Sequence, residues 1–399
     1  MNILFVSAVL PYPLHSGGQV RIYNLLKRLS QKHDITLYAF IRDDKENQYI
    51  KELSFCKKVV TVMRGRAWQA RYFIQSMVTS FPFLYATYNN GQMRDRLLGE
   101  LRLGYDLIHL EPGYVWASLP RTTKPVVVSE HNIEHEVYQK FVDHFRVSFL
   151  RPMMRRDVAK MDAWERRIWK AAAHVTAASD DDRDHMRGVV DENKITVVKN
   201  GVDTEQFSFH PKKTISSSRP IFLYVGAFRW IQNIDAARHM LQHLWPLIRT
   251  RYPKAVLRIV GKHPPDQLKN LADGRVSFLE FVEDIHKEYV RADILLAPIR
   301  VGGGTKYKII ESMASGLPVV TTNVGAQGID TGRGDVMWIA QNDEEMVARV
   351  HDIIQLHPER KKRLANARKL VEAGYSWTHI ADELGRVWEK IYEKTTSED

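Results

Sequence analysis

Asn2-Ile3-Leu4-Phe5-Val6-Ser7 and Pro220-Ile221-Phe222-Leu223-Tyr224-Val225 are two openings of one kind. Each is a short run that is apolar at consecutive positions, and each leads into a glycine-bearing loop and then a helical pattern. A strand apolar on both faces belongs in a sheet covered on both sides, which is the habit of parallel sheets flanked by helices. Outward from the first opening, helical spacing at Val20, Tyr23, Leu26 and Leu29 is followed by strand-like runs at 34–41, 57–63, 106–110, 125–129, 174–178 and 194–198. Outward from the second, an amphipathic stretch at 235–249 precedes strand-like runs at 255–260, 276–279, 293–297, 318–321 and 335–339. The alternation predicts an α/β protein of two Rossmann-like, doubly wound parallel-sheet domains, each starting from its central strand. Ligands of such sheets bind outside the carboxyl ends of the strands, so a cleft between the two domains is the expected site.

Length and composition agree. A chain of 399 residues is long for a single core, and 44% hydrophobic content excludes a largely disordered chain. The expected division is an N-terminal domain at 1–205, a linker at 206–219 containing Pro211 and Ser216-Ser217-Ser218, a C-terminal domain at 220–376 and a final helix at 377–395, with a frayed polar end. Lys plus Arg number 58 against 47 Asp plus Glu, a net charge of +11, which suggests an anionic partner. Cys56 is the sole cysteine, so an intrachain disulfide is impossible and a reducing, cytoplasmic setting is the simple expectation. The apolar start lacks a basic flank and reads as a buried strand, and no run reaches the roughly 20 residues of a membrane span.

Four segments can carry chemistry. In Ser16-Gly17-Gly18-Gln19-Val20-Arg21, two glycines just before a helix let the backbone approach a ligand, and free amides there attract phosphate. Lys199-Asn200-Gly201-Val202-Asp203 is physically a tight turn at a strand end. Gly302-Gly303-Gly304-Thr305-Lys306-Tyr307-Lys308-Ile309-Ile310-Glu311 reads as three glycines opening a helix, whose amides and Thr305 hydroxyl suit a diphosphate. Lys308 and Glu311 share a face there, a cation for phosphate and a carboxylate for a sugar diol. Ser129-Glu130-His131 ends a strand at the expected cleft and offers His131 to a substrate. Asp180-Asp181-Asp182 follows Ser179 and reads as a helix start rather than a metal site. The basic run between Arg151 and Lys170 reads as the solvated face of a long helix. Residues 51–94 hold seven basic and one acidic side chain among Phe55, Trp68, Tyr72, Phe73, Phe81, Phe83, Tyr85 and Tyr88, which suits either an anionic membrane surface or packing between helices.

Taken together, these motifs resemble the glycosyltransferases of the GT-B fold, family 4, which move sugars from nucleotide-sugar donors with retention. The resemblance rests on Lys199–Asp203 with Phe207, Gly226, Asn233, Ala292-Asp293-Ile294, Gly302–Glu311, Ala314-Ser315-Gly316-Leu317-Pro318-Val319-Val320 and Tyr375-Ser376-Trp377. It implies that Glu311 holds the donor ribose, that Gly17 and Gly18 face the diphosphate and acceptor, and that His131 contacts the donor sugar. It also implies a final helix packed back on the first domain, and no metal or other cofactor besides the nucleotide-sugar co-substrate. The family's first acidic residue falls at Gly303, so the amides of Gly303, Gly304 and Thr305 are expected in its place. Its phosphate-binding Arg and Lys align with Ala227 and Gln232, which leaves Arg229, Lys306 and above all Lys308 as substitutes. Its glycine before the base-binding turn falls at Glu280.

The function this implies is a retaining, metal-independent transferase that acts on a polysaccharide, oligosaccharide or lipid-linked acceptor in cell-envelope glycan synthesis, at the inner face of the membrane if residues 51–94 touch lipid. Two rivals stand beside it. One is a nucleotide-sugar epimerase or hydrolase of the same fold, against which the Asn200–Asp203 and Trp377 segments argue. The other is a non-enzymatic basic binding protein; nothing resembles a nucleic-acid module, so nucleic acid is not an expected partner.

Overall fold

The structure is a computed structural model, and it describes every residue except 144, 146, 303, 333, 334 and 399 and the side chain of 398. Two compact units divide the chain: unit 1 comprises Met1–Lys199 with Ile380–Asp399, and unit 2 comprises Asn200–His379.

Unit 1 is built on strands β1 (Asn2–Ser7), β2 (Asp34–Ile41), β3 (Lys58–Met63), β4 (Leu107–Glu111), β5 (Val126–Ser129), β6 (His174–Ala177) and β7 (Ile195–Val197). Their spatial order is β3-β2-β1-β4-β5-β6-β7, parallel throughout. Unit 2 has β8 (Ile221–Val225), β9 (Val256–Val260), β10 (Val276–Leu279), β11 (Ile294–Ala297), β12 (Val319–Thr321) and β13 (Trp338–Ile339), in the order β10-β9-β8-β11-β12-β13, also parallel. The first strand of each unit is therefore internal, as the two apolar openings require, and the winding reverses between β1 and β4 and between β8 and β11.

Helix boundaries differ from the periodicity in instructive ways. The first helix is Gly17–Leu29, with Ser16 as N-cap accepting from the Gln19 amide at 3.3 Å, so Gly17 and Gly18 form its first turn instead of preceding it. The glycines after β11 do not open a helix. Gly302 and Gly304 take φ values of 118° and 65°, outside the right-handed helical region, and the helix starts only at Tyr307. The stretch near 235–249 is Ile231–His239, a π-helical turn Met240–Leu244 and Trp245–Arg251; Pro246, which has no N–H to give, follows the wide turn. The last helix runs Trp377–Glu398, further than a frayed end at 395–399.

Residues 206–219 are held by unit 2. Phe207 is in its core, Lys212 pairs with Asp293 at 2.7 Å, and the Lys213 carbonyl accepts from Arg360 at 2.9 Å. The segments entering and leaving unit 2 are zipped together: the Val202 amide donates to Tyr375 O at 2.7 Å, and the Trp377 amide to Val202 O at 3.2 Å. Gly201 is required there, because a Cβ would come within 2.8 Å of the Trp377 indole. The later part of the last helix belongs to unit 1, with Ile380, Leu384 and Trp388 fully buried.

β8 and β9 turn away so closely that a Cβ on Gly261 would lie 1.8 Å from Gly226 O, which is backbone and cannot swing aside. Gly261→Ala should therefore destabilise unit 2 by about 2–3 kcal/mol. Hydrogen exchange of β8 and β9 amides in urea measures this, and unchanged protection would contradict it.

Candidate functional site

In unit 1, polar groups collect where the sheet reverses. Glu111 ends β4, Arg21 comes from the second turn of the Gly17–Leu29 helix, and His131 follows β5. Arg21 Nε donates to Glu111 Oε1 at 2.7 Å, and both side chains are excluded from solvent. His131 Nε2 lies 2.8 Å from the same oxygen, and His109 Nε2 lies 3.2 Å from Glu111 Oε2. Burial opposes the charge on Glu111, but Arg21 and the two imidazoles overcome it and hold the carboxyl well below the usual range. An ionised carboxylate only accepts, so each histidine turns an Nε2–H toward it. For His109 the far side agrees: its Nδ1 accepts from Trp388 Nε1 at 3.1 Å, and burial lowers its pKa, keeping the ring neutral. His131 is left with Nδ1 facing Gly18, where a Cβ would lie 3.4 Å from that nitrogen. Gly18 thus leaves room beside the Nδ1 edge of the ring. Gly17 stands one residue earlier in the same turn.

Glu130 plays a structural part. It accepts from Trp169 Nε1 at 2.9 Å and from the Gly113 amide at 3.2 Å, while burial and then Glu165 push its carboxyl well above the usual range. Ser179 caps its helix as expected, accepting from the Asp182 amide at 3.2 Å.

In unit 2, the helix Tyr307–Ser315 leaves the loop after β11 and carries Lys308 and Glu311. Lys308 is buried, yet the partners of its ammonium are neutral: Asn233 Oδ1 at 2.8 Å, Tyr224 Oη at 3.3 Å and the Tyr224 ring, 4.3 Å to the centroid. Asn233 is fixed for this role, since its Nδ2 donates to Ala227 O at 3.0 Å. Burial draws the Lys308 pKa down to about 7, against the pull of Glu311 and with a further push from Lys306. Glu311 Oε2 accepts from Tyr289 Oη at 2.6 Å, and burial raises its carboxyl despite that bond and Lys308. Tyr289 thereby anchors one of its two carboxylate oxygens.

The remaining residues expected to bind a donor divide. Gly304 stands in the loop, and Lys306 folds back on it, Nζ to Gly304 O at 2.6 Å. The Thr305 hydroxyl donates to Gly328 O at 3.0 Å, so it secures the neighbouring turn instead of pointing its proton at a phosphate. Arg229 is exposed, its guanidinium 5.4 Å from the Trp230 ring centroid. Gly303 lies outside the described residues. Glu280 pairs with Lys269, and Phe281 beside it is exposed.

Sequence reasoning passed over Arg21, Glu111, His109, Tyr289 and Trp388. A signal existed for Glu111: His109 and Glu111 are polar residues two apart on one face of an otherwise apolar strand.

The fold and these groups define a class: a two-unit α/β protein with ligand-competent polar groups at the switch point of each sheet. Residues 15–206 match the Glycosyltransferase Family 4 description and residues 219–356 match Glycosyl transferases group 1. An uncharacterized 44.6 kDa protein in the cps region of Klebsiella pneumoniae is 24% identical over 87% of this chain and 89% of its own. Sucrose-phosphate synthase from Thermosynechococcus elongatus superposes with a TM-score of 0.74 at 18% identity, covering 99% of this chain and 100% of that one. Anabaena Alr3699/HepE, solved in complex with UDP and glucose, superposes with a TM-score of 0.64 at 15% identity, covering 98% and 100%. The chain belongs to the GT-B glycosyltransferases of family 4, the group 1 kind, and is a glycosyl-transferring enzyme.

Glu111→Gln would leave the Arg21 charge buried without a counter-ion, at a cost to unit 1 of about 3–5 kcal/mol. The depressed Glu111 pKa adds stability that is complete above the ordinary carboxylate range and disappears as pH falls through the lower, folded value. Denaturant titrations from neutral pH into acid should show this loss in the wild type and its absence in the variant. Parallel curves would contradict the assignment.

Proposed function

We propose that the protein is a retaining, metal-independent transferase that takes a sugar from a nucleoside-diphosphate sugar and delivers it to a glycan or lipid-linked acceptor of the cell envelope. The single observation that carries this reading is Lys308, a buried ammonium with neutral partners, three residues from a carboxylate steadied by Tyr289. A buried ammonium whose hydrogen-bond partners are neutral is poised for an anion, and the charge that builds on a leaving diphosphate supplies one. Glu311 suits a ribose diol, accepting from hydroxyls with the oxygen that Tyr289 leaves open. UDP and glucose in the complex of a structural neighbour support the donor class.

Unit 1 serves the sugar and acceptor. Glu111 fixes His131 so that Nδ1 is presented, and Gly18 keeps the space before it clear. No side chain is assigned as general base; in a retaining route the departing phosphate oxygen takes the acceptor proton. On this reading the reaction is cytoplasmic, at the inner face of the membrane if the basic, aromatic segment of unit 1 touches lipid. An epimerase or hydrolase would convert the donor with no acceptor present, which the same assay reads.

With a donor found by screening, starting from UDP-glucose, Lys308→Ala and Glu311→Ala should each lower turnover by about 100-fold or more while the protein stays folded. Near-normal turnover in both would overturn the assignment. Donor affinity should weaken as pH rises above about 7, because Lys308 loses its proton there. Lys308→Arg should flatten that dependence, since arginine stays charged across the range. Calorimetric titration at several pH values checks it; the same slope in both proteins would contradict the role given to Lys308.

A further inference from the structure

The helix Ala70–Val78 is built inside out. Its buried side chains are Tyr72 and Ser76, whereas Phe73, Ile74, Met77 and Val78 face solvent. An ordinary surface helix turns its apolar stripe inward. The inversion is enforced by hydrogen bonds: the Ser76 hydroxyl donates to Asp157, the Phe83 amide donates to Asp157 Oδ1 at 2.9 Å, and Lys160 Nζ donates to Thr79 O at 2.7 Å. The anchoring groups all stand on the helix Arg151–Ala171.

A second apolar group stands at the start of that same anchoring helix. Phe149 is 79% exposed, and Met153, one turn before Asp157, is also exposed. Of the 21 large apolar side chains exposed among the described residues, ten lie within 68–78 and 137–153. Trp68, itself 78% exposed, packs at a tilt of 35° against Phe73 and Phe83 at centroid distances of 5.9 and 5.3 Å, so it is held outward by the cluster. The charge around this surface is mainly positive. Residues 64–83 contain three arginines, of which Arg64 is buried, and no acid; residues 137–156 contain five basic side chains and one acid, Asp143, which pairs with Arg155 at 3.3 Å. Arg66, Arg71, Arg155 and Arg156 are exposed.

The rest of the basic, aromatic stretch at 51–94 is excluded from this surface. Tyr72, Tyr85 and Tyr88 are buried, and only Trp68 and Phe73 of its eight aromatic residues stand out among the exposed apolar side chains. Among the described residues no helix is long and apolar enough to cross a membrane, so the apolar side chains have a surface and not a span to satisfy.

We propose that the helix Ala70–Val78, together with Trp68, Phe149 and Met153, docks on an anionic phospholipid bilayer and inserts its apolar side chains at the headgroup boundary. Arginine charge draws the face to anionic lipid, and the aromatic and aliphatic groups then leave water. Trp at such a boundary keeps its N–H wet while its rings are buried. Charge alone would not require the inverted helix, and a protein partner of neutral surface would not require the excess of basic side chains.

The test is co-sedimentation of the full chain with vesicles, without donor or acceptor, so it stands or falls separately from the transferase reading. At about 0.15 M salt, binding to phosphatidylcholine vesicles with about one third phosphatidylglycerol should exceed binding to pure phosphatidylcholine by roughly tenfold or more. Ile74→Glu with Met77→Glu should reduce it by at least about tenfold, and Phe149→Glu alone should weaken it measurably. These side chains are exposed, so unchanged thermal unfolding is expected and controls for folding. Wild-type binding by both variants would overturn the proposal, as would absence of binding to the anionic vesicles. So would a dimer in gel filtration that the same substitutions dissolve without any vesicle binding, since a second copy would then be the occupant.

Discussion

Both sheets begin in their middle, and this constraint organises the molecule. β1 and β8 must be covered on both faces and paired on both edges, so the chain winds outward on one side and then crosses to the other. The connections that leave β1 and β4, or β8 and β11, depart in opposite senses. The carboxyl ends of those strands are consequently the places in each unit where polar side chains gather without breaking the sheet. Arg21, Glu111 and His131 occupy one, and Asn233 and Lys308 occupy the other.

The two places treat buried charge in opposite ways. Glu111 is satisfied by an arginine and two imidazole N–H groups, so it stays ionised and works by holding others in position. His109 takes its orientation from Trp388 on the last helix, so the geometry at His131 depends on a residue distant in sequence. Lys308 meets an amide oxygen, a phenol and a ring face, and its proton is correspondingly loose. One group is fully paired within the protein; the other has only neutral hydrogen-bond partners, which is why an anion is proposed to complete it.

The architecture was legible in the sequence because each strand is an apolar run punctuated by glycine, proline or a cap, and those signals are local. Lys308, Glu311, His131 and Gly18 were singled out by their positions after strands, and the structure places them beyond the carboxyl ends of those strands. Where the reading failed, the reason is physical. Periodicity cannot distinguish a glycine in the first turn of a helix, as at Gly17, from one with positive φ in a loop, as at Gly304. Polar residues at 206–219 read as a linker, but the ion pair of Lys212 with Asp293 spans 81 positions and leaves no local trace. Arg21, Tyr289 and Trp388 act through partners equally remote. The helix Ala70–Val78 was hidden for a related reason: its stripe is apolar in sequence whether it faces the core or the solvent, and the distant Asp157 and Lys160 decide which.

Lys308 is the group proposed to meet the donor diphosphate. Its titration can be followed directly by the side-chain NMR signals of isotope-labelled lysine, with Lys308→Arg supplying the assignment. The account predicts a pKa near 7 in the free protein and a rise of roughly two units or more once a nucleoside-diphosphate sugar binds, since the anion stabilises the ammonium. An ordinary lysine pKa in the free protein, or no movement on saturation with donor, would contradict it.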